Sequence, residues 1–269
     1  MAVISIYDTS ALYNQNMSDR QQQRLMEFYE EAFHGYDVDS IHDCSIGAGG
    51  TTLPLARLGY RVSGSDVSDN LLAKARDNFA GAGYDIDLFS ADFTRLGEAL
   101  KDTYDCLMST GNSLPHVDEE GVSDFVRGAA ARLNPGGLLY VDMRNWDRLL
   151  LEKPIFTARD PLVMTAEEHR SLYQIWNWNG DSSVEFVFVT STDRNGRHEK
   201  TSFTYAPTYY PLRFKDYEAI LHRHGFAVRR CFDIDHLWTL APDVREKCGE
   251  FAADFANIGW YAVLAQRLN

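Results

Sequence analysis

The chain has 269 residues, 45% of them hydrophobic and 24% charged, the balance of an ordinary globular protein and not of a disordered one. Its 39 acidic against 26 basic residues leave a net charge of −13, which argues against a general nucleic-acid binder and against docking on an anionic membrane. With no apolar run of about 18 residues, and no basic, long-apolar leader in MAVISIYDTS, a cytoplasmic protein without a membrane span or secretory signal is expected.

In chain order, Ser18 can cap a helix whose Leu25, Phe28, Tyr29, Ala32 and Phe33 recur at helical spacing. From residue 41 strands and helices alternate. Residues 41–46 (IHDCSI) read as a strand, 47–52 (GAGGTT) as a tight glycine loop and 52–58 as a short helix. Residues 61–66 (RVSGSD) form the second strand, and Ser68 caps a helix carrying Leu71, Leu72, Ala75 and Phe79. Residues 86–92 and 104–110 are strands three and four. A helix over 119–133 buries Val122, Phe125, Val126, Ala129 and Leu133, residues 134–137 (NPGG) break it, and 138–143 (LLYVDM) are strand five. Such alternation means right-handed βαβ units and a parallel sheet. Residues 183–192 and 200–205 are instead rich in Val, Phe, Thr and Tyr around an Asn195-Gly196 hairpin turn, and Trp176 and Trp178 alternate in a third strand. A helix over 214–224 ends at Gly225, and strands over 227–234 and 260–268 close the chain.

The fold expected is therefore α/β: a Rossmann-like, doubly wound, mostly parallel seven-stranded sheet with an inserted antiparallel β cap. The expected organisation is an N-terminal helical segment over 1–40 lidding a cofactor site, the main domain over 41–154 and 207–269, and the cap over 155–206. The four cysteines (Cys44, Cys106, Cys231, Cys248) form no C-x-x-C pair and read as buried, reduced thiols. His222 and His224 diverge on a helix, so with His236 they make no metal set, and no metal is expected. An aromatic content of 13% is compatible with a homo-oligomer but does not define one.

In an open parallel sheet, ligands bind at the carboxyl ends of the strands. Strand one is followed by Gly47-Ala48-Gly49-Gly50, which lets a ligand approach the backbone. Strand two ends in Asp66, a carboxylate suited to two ribose hydroxyls. Strand three ends in Asp92-Phe93, an acceptor for an adenine amino group beside an aromatic face. Strand four ends in Thr110-Gly111-Asn112-Ser113, and strand five in Asp142-Met143-Arg144-Asn145. A glycine turn plus an acid also suits NAD, but the dinucleotide pattern wants a third glycine where Thr52 stands, and Asp92-Phe93 favours a mononucleoside-sized cofactor.

The run from Asp43 to Gly49 (DCSIGAG), with Asp66 and Asp92, resembles the successive motifs of class I S-adenosylmethionine-dependent methyltransferases. Within these, 111–116 (GNSLPH), 134–147 (NPGGLLYVDMRNWD) and 208–211 (TYYP) resemble glycine N-methyltransferases and glycine/sarcosine N-methyltransferases. The resemblance implies S-adenosyl-L-methionine as cofactor, held by Ser45, Gly47, Gly49, Asp66, Val67, Asp92, Phe93 and Thr110, with Asn112, Ser113 and His116 along its methionine side. Tyr13 and Arg20 resemble, by spacing, a tyrosine and an arginine at the same end. It further implies that Arg144 clamps the carboxylate of a small-molecule methyl acceptor with Asn112, while Tyr209 lies near the transferring methyl. Two departures bear on the acceptor: Val163, Phe186 and Phe188 stand where glycine methyltransferases carry cap tyrosines, and SIGAG replaces the more usual ACGTG. Methylation of a larger amine, an oxygen or a carbon therefore stays open beside N-methylation of a glycine-like acceptor, as do a non-catalytic cofactor-binding module and an NAD oxidoreductase.

Overall fold

The computed structural model describes residues 17–158, 162–238, 245–246 and 255–268. In chain order the elements are α1 (Asp19–Ala32), β1 (Ser40–Asp43), α2 (Leu53–Arg57), β2 (Arg61–Asp66), α3 (Asp69–Gly81), β3 (Asp87–Ser90), α4 (Leu96–Ala99), β4 (Tyr104–Ser109), α5 (Glu119–Arg132), β5 (Leu133–Arg144) and α6 (Trp146–Glu152). Five strands follow, β6 (Phe156–Ala158), β7 (Val163–Met164), β8 (Glu168–Asn179), β9 (Ser183–Arg194) and β10 (Arg197–Tyr205). The chain then continues through α7 (Phe214–Arg223), β11 (Phe226–Asp233), α8 (Asp235–Trp238), β12 (Arg245–Glu246) and β13 (Trp260–Arg267). Two compact units result, Asn16–Arg148 with Leu212–Asn269, and a second that takes in Leu149–Pro211.

The larger unit is built on one sheet in the order β12-β11-β13-β5-β4-β1-β2-β3. Its seven main strands are joined at one edge by the two-residue β12. The pairs β1–β2, β1–β4, β2–β3 and β4–β5 are parallel, and β13 runs antiparallel between β5 and β11. Every residue from Leu138 to Met143 in β5 is buried, though alternate residues point to opposite faces, so the strand is covered on both sides. On one side Leu138 and Tyr140 join a core with Leu25, Phe28, Tyr29 and Phe33 of α1, and with Phe232, Ala262 and Leu264.

Local chemistry sets the element ends. Ser18 and Gln21 form a reciprocal capping box at α1, and Ser68 Oγ accepts from the Leu71 amide at α3 (3.3 Å). Asp118 caps α5 through the Gly121 amide (3.0 Å). The NPGG segment, read as a helix breaker, follows α5, which ends at Arg132, and lies inside β5: Tyr104 pairs with Leu133 but Cys106 with Leu138, so residues 134–137 bulge opposite Asp105 alone and pairing then resumes. Gly136 at φ +74 and the Asn134 Nδ2–Asp105 Oδ1 hydrogen bond (2.6 Å) hold this bulge.

The second unit is an antiparallel sheet, β10-β9-β8-β6, with β7 also on β8. The sequence reading finds its three long strands and the Asn195-Gly196 turn, where both residues take positive φ (+50 and +73), but not the short β6 and β7. Trp176, Val184, Phe186 and Tyr209 are buried together. Trp176 and Phe186 meet edge to face at 4.5 Å, and Tyr209 exchanges backbone hydrogen bonds with Val184.

Candidate functional site

The order β5-β4-β1-β2-β3 sets the carboxyl ends of five parallel strands side by side, and the residues singled out after each strand meet along that edge. After β1, Gly47 (φ +54) and Gly49 (φ +79) take left-handed conformations. They do so for different reasons. A Cβ on Gly49 would come within 2.6 Å of Phe79 Cε2, whereas one on Gly47 would meet nothing within 4 Å. Gly49 thus lets the loop pack on α3, while Gly47 faces open space. At the end of β2 the Asp66 carboxylate accepts from the Gly47 amide (Oδ2, 2.9 Å) and the Ser68 amide (Oδ1, 2.9 Å), tying the glycine loop to the start of α3. Burial pushes its pKa up, and those amides pull against the shift. Val67, the next residue, is an apolar side chain left 69% exposed. Asp92 follows β3 and is exposed. Its Oδ1 accepts from Thr94 N (2.9 Å) and Thr94 Oγ1 (2.8 Å), leaving Oδ2 without a partner among the described residues. Phe93 packs edge-on against Phe125 at 5.5 Å.

Two further carboxylates organise these loops. Asp43 is fully buried at the end of β1, where Oδ1 accepts from Ser45 N (3.0 Å) and Oδ2 from the hydroxyls of Thr52 (2.6 Å) and Thr110 (3.2 Å). Ser45 Oγ in turn accepts from the Thr110 amide (3.1 Å), so the loops after β1 and β4 are sewn together. Asp142, near the end of β5, accepts with Oδ1 from the Gly111 amide (2.9 Å) and from Trp260 Nε1 (3.1 Å). Burial raises Asp43 to about 6 and Asp142 to about 7, because the hydrogen bonds only partly replace lost hydration. Neither acid was singled out from sequence as a site residue. The signals present in sequence are the place of Asp43 at the head of the DCSIGAG run and of Asp142 among the polar residues that end strand five.

After β4, Gly111 and Asn112 take consecutive left-handed conformations (φ +73 and +63). Buried Asn112 accepts with Oδ1 from Arg144 N (3.1 Å) and Trp146 Nε1 (3.0 Å), so its carbonyl oxygen is committed within the fold and its Nδ2 is what it offers a ligand. Ser113 Oγ donates to the Thr110 carbonyl (2.8 Å). His116 ends a short 3-10 turn, and burial lowers it to about 4, so the ring is neutral at pH 7. Arg144 closes β5 with its guanidinium carbon 5.5 Å from the Trp260 ring centroid. The next residues pin the following turn: Asn145 Nδ2 donates to the carbonyls of Phe255 and Ile258, and Asp147 accepts from the Phe214 amide.

Arg20 is an exposed residue in the first turn of α1, and Tyr209 belongs to the second unit, where its ring lies 4.6 Å from that of Phe186. Tyr13 and Cys248 lie outside the described residues. Cys44, Cys106 and Cys231 are buried. Among the described residues no three His, Cys, Asp or Glu side chains group as a metal site would require, and no helix is long and apolar enough to cross a membrane.

Residues 41–137 match the family model of a methyltransferase domain. Over 125 residues the chain is 28% identical to the glycine/sarcosine N-methyltransferase of Halorhodospira halochloris, an alignment covering 46% of this chain and 47% of that protein. Over 119 residues it is 32% identical to the ubiquinone biosynthesis O-methyltransferase of Sinorhizobium fredii, covering 44% and 46%. The chain thus spans about half the length, or less, of the first curated relatives it matches. An S-adenosylmethionine-dependent methyltransferase from Clostridium acetobutylicum shares the fold, with a TM-score of 0.70 at 14% identity over 97% of this chain and 96% of that one.

Proposed function

We propose that this chain, a class I S-adenosylmethionine-dependent methyltransferase, methylates the amine of a small carboxylate-bearing acceptor such as glycine or sarcosine. The residues fit the cofactor. Gly47 presents backbone to open space, Asp66 keeps lone pairs for ribose hydroxyls, Val67 exposes an apolar surface beside it, and Asp92 has an oxygen to spare. When bound, S-adenosylmethionine supplies an electrophilic methyl on a sulfonium that leaves as a neutral thioether, so the protein's work is alignment more than acid–base chemistry. Here Arg144 would hold the acceptor carboxylate with its planar fork, and Asn112 Nδ2 would donate beside it.

The observation that carries the reading is Arg144 itself: a guanidinium at a strand's carboxyl end, anchored through its amide to Asn112 and lying over an indole ring. The test is an acceptor screen over amino acids, amines and phenols, read by mass spectrometry and by S-adenosylhomocysteine release. Methylated glycine or sarcosine is expected. Arg144→Ala should raise the acceptor KM about 10- to 100-fold, with cofactor affinity unchanged, as for loss of a charge-assisted pair. Release of S-adenosylhomocysteine without methylation of any amino acid would overturn the reading. The second reading, an oxygen acceptor, is supported by the 32% identity to a ubiquinone biosynthesis O-methyltransferase and would be recognised by products formed from phenols alone.

A further inference from the structure

Arg144 and Trp260 face each other directly across the antiparallel pair β5–β13, with the guanidinium carbon 5.5 Å from the ring centroid. Asp142, two residues back on the same face of β5, reaches the edge of that indole and accepts its N–H (3.1 Å). The same carboxylate oxygen accepts from Gly111 (2.9 Å), in the turn whose next residue, Asn112, holds the Arg144 amide (3.1 Å). Backbone and side chain of Arg144 are therefore both held by groups traceable to one buried acid. A bidentate grip on a carboxylate needs the guanidinium in one plane, and a long flexible side chain reaches that plane only at the cost of rotamer freedom. An indole face beneath the fork removes that freedom before the acceptor arrives.

We infer that Trp260 is the positioning residue for Arg144, itself locked by Asp142, and that this relay sets how tightly a carboxylate-bearing acceptor is held. It rests on the assignment of Arg144 to the acceptor carboxylate. The test uses the full chain and the amino acid it turns over fastest in the screen above, with Trp260→Leu, Trp260→Phe, Arg144→Ala and the Trp260→Leu/Arg144→Ala double variant. Trp260→Leu should raise the acceptor KM about 3- to 30-fold, the range of a ring–guanidinium contact, with the KM for S-adenosylmethionine within about twofold of wild type. Trp260→Phe keeps a ring and should lie nearer wild type. In the Arg144→Ala background, Trp260→Leu should add nothing, because the residue it positions is gone. An acceptor KM unmoved by Trp260→Leu, or an effect that persists in full without Arg144, overturns the inference. Should Trp260→Leu not fold, Trp260→Gln takes its place as the ring-free variant. An acceptor KM unmoved by Arg144→Ala, or no amino acid turned over, instead removes the assignment of Arg144, and the relay falls with it.

Discussion

Replacing Asn112 separates its backbone, side-chain and ligand-facing parts. Its φ of +63 is a conformation that glycine adopts freely and alanine adopts at a cost of about 1 kcal/mol. Its Oδ1 is the acceptor for two N–H groups, those of Arg144 and Trp146, at 3.1 and 3.0 Å, and taking that acceptor away costs about 1–3 kcal/mol for each. Asn112→Ala should therefore lose about 3–7 kcal/mol of stability, a large part of a typical domain's total. Asn112→Gly loses the same acceptor without the backbone cost and should be about 1 kcal/mol better than alanine. Asn112→Asp keeps the acceptor oxygen and the tolerated φ, and should fold with the smallest loss of the three, yet be deprived of the Nδ2 donor. Urea unfolding followed by circular dichroism orders the variants, and steady-state kinetics on the aspartate variant reads the donor's part in methyl transfer. An alanine variant as stable as the glycine one, or within about 0.5 kcal/mol of wild type, would refute the reasoning.

The two loop glycines should part company. Gly49→Ala forces a Cβ to within 2.6 Å of Phe79 and should cost about 2–4 kcal/mol by thermal or urea melting, while Gly47→Ala should cost only about 1 kcal/mol and show its effect in the dissociation constant for S-adenosylmethionine. Asp66→Ala should weaken cofactor binding by at least about tenfold in calorimetric titration, because it removes both the ribose acceptor and the anchor of the Gly47 amide; binding at wild-type strength would count against the ribose role. Asp142 sets a pH dependence. Raised by burial from 3.8 to about 7, it supports the fold fully below pH 4, and that contribution is lost as pH rises through 7. Asp142→Asn cannot ionise, so its stability relative to wild type should improve between pH 4 and 8 by on the order of 3–4 kcal/mol in pH-stepped urea melts. A difference flat with pH would contradict it. His42 and His116, lowered by burial to about 3 and about 4, act in the opposite sense: their contribution is complete above pH 6.5 and is lost as pH falls towards 4 and then 3. They offset the aspartates in the absolute curve and cancel in the difference.

How much of this was legible depended on the range of the interaction that decides it. Ser18 and Ser68 act within one helical turn, and both caps are read directly from the sequence. Gly47, Gly49 and Asp66 lie within 20 residues in one strand–helix–strand unit, and the turn that needs positive φ announces itself by glycine. The bulge at 134–137 is different. NPGG is read rightly as a helix stop, but Leu133 already pairs with β4 before the interruption and Leu138 after it, so tertiary pairing extends the strand back through residues that favour a turn. The Trp260–Arg144 pair is further still from local logic. Its partners lie on β5 and β13, and only the antiparallel register of those strands brings them face to face. Its motif marks Asn112 as a ligand-facing residue. That its carbonyl oxygen holds Arg144 and Trp146 follows from hydrogen-bond satisfaction in the folded site.

The acid excess of the chain takes a different meaning inside the site. Four carboxylates follow or end its strands, and they divide by what surrounds them. Asp43 and Asp142 are buried, accept from hydroxyls, amides and an indole, and are raised by burial to about 6 and about 7, so near pH 7 Asp142 is poised between its two forms while Asp43 is still mostly ionised. A buried acid supplied only with neutral donors is costly as an anion and useful as an acceptor with several lone pairs, which is what three adjoining loops need to hold one geometry. Asp66, part-buried at the end of β2, and exposed Asp92, after β3, keep accepting capacity beyond their own loops. The proposed cofactor suits such a division, with spare carboxylate lone pairs where hydroxyl and amino groups would be read and fully buried acids where the loops are held. On the proposed reading Arg144 is the cation of the acceptor end, and a carboxylate, not a second cation, is the partner whose charge it would complement.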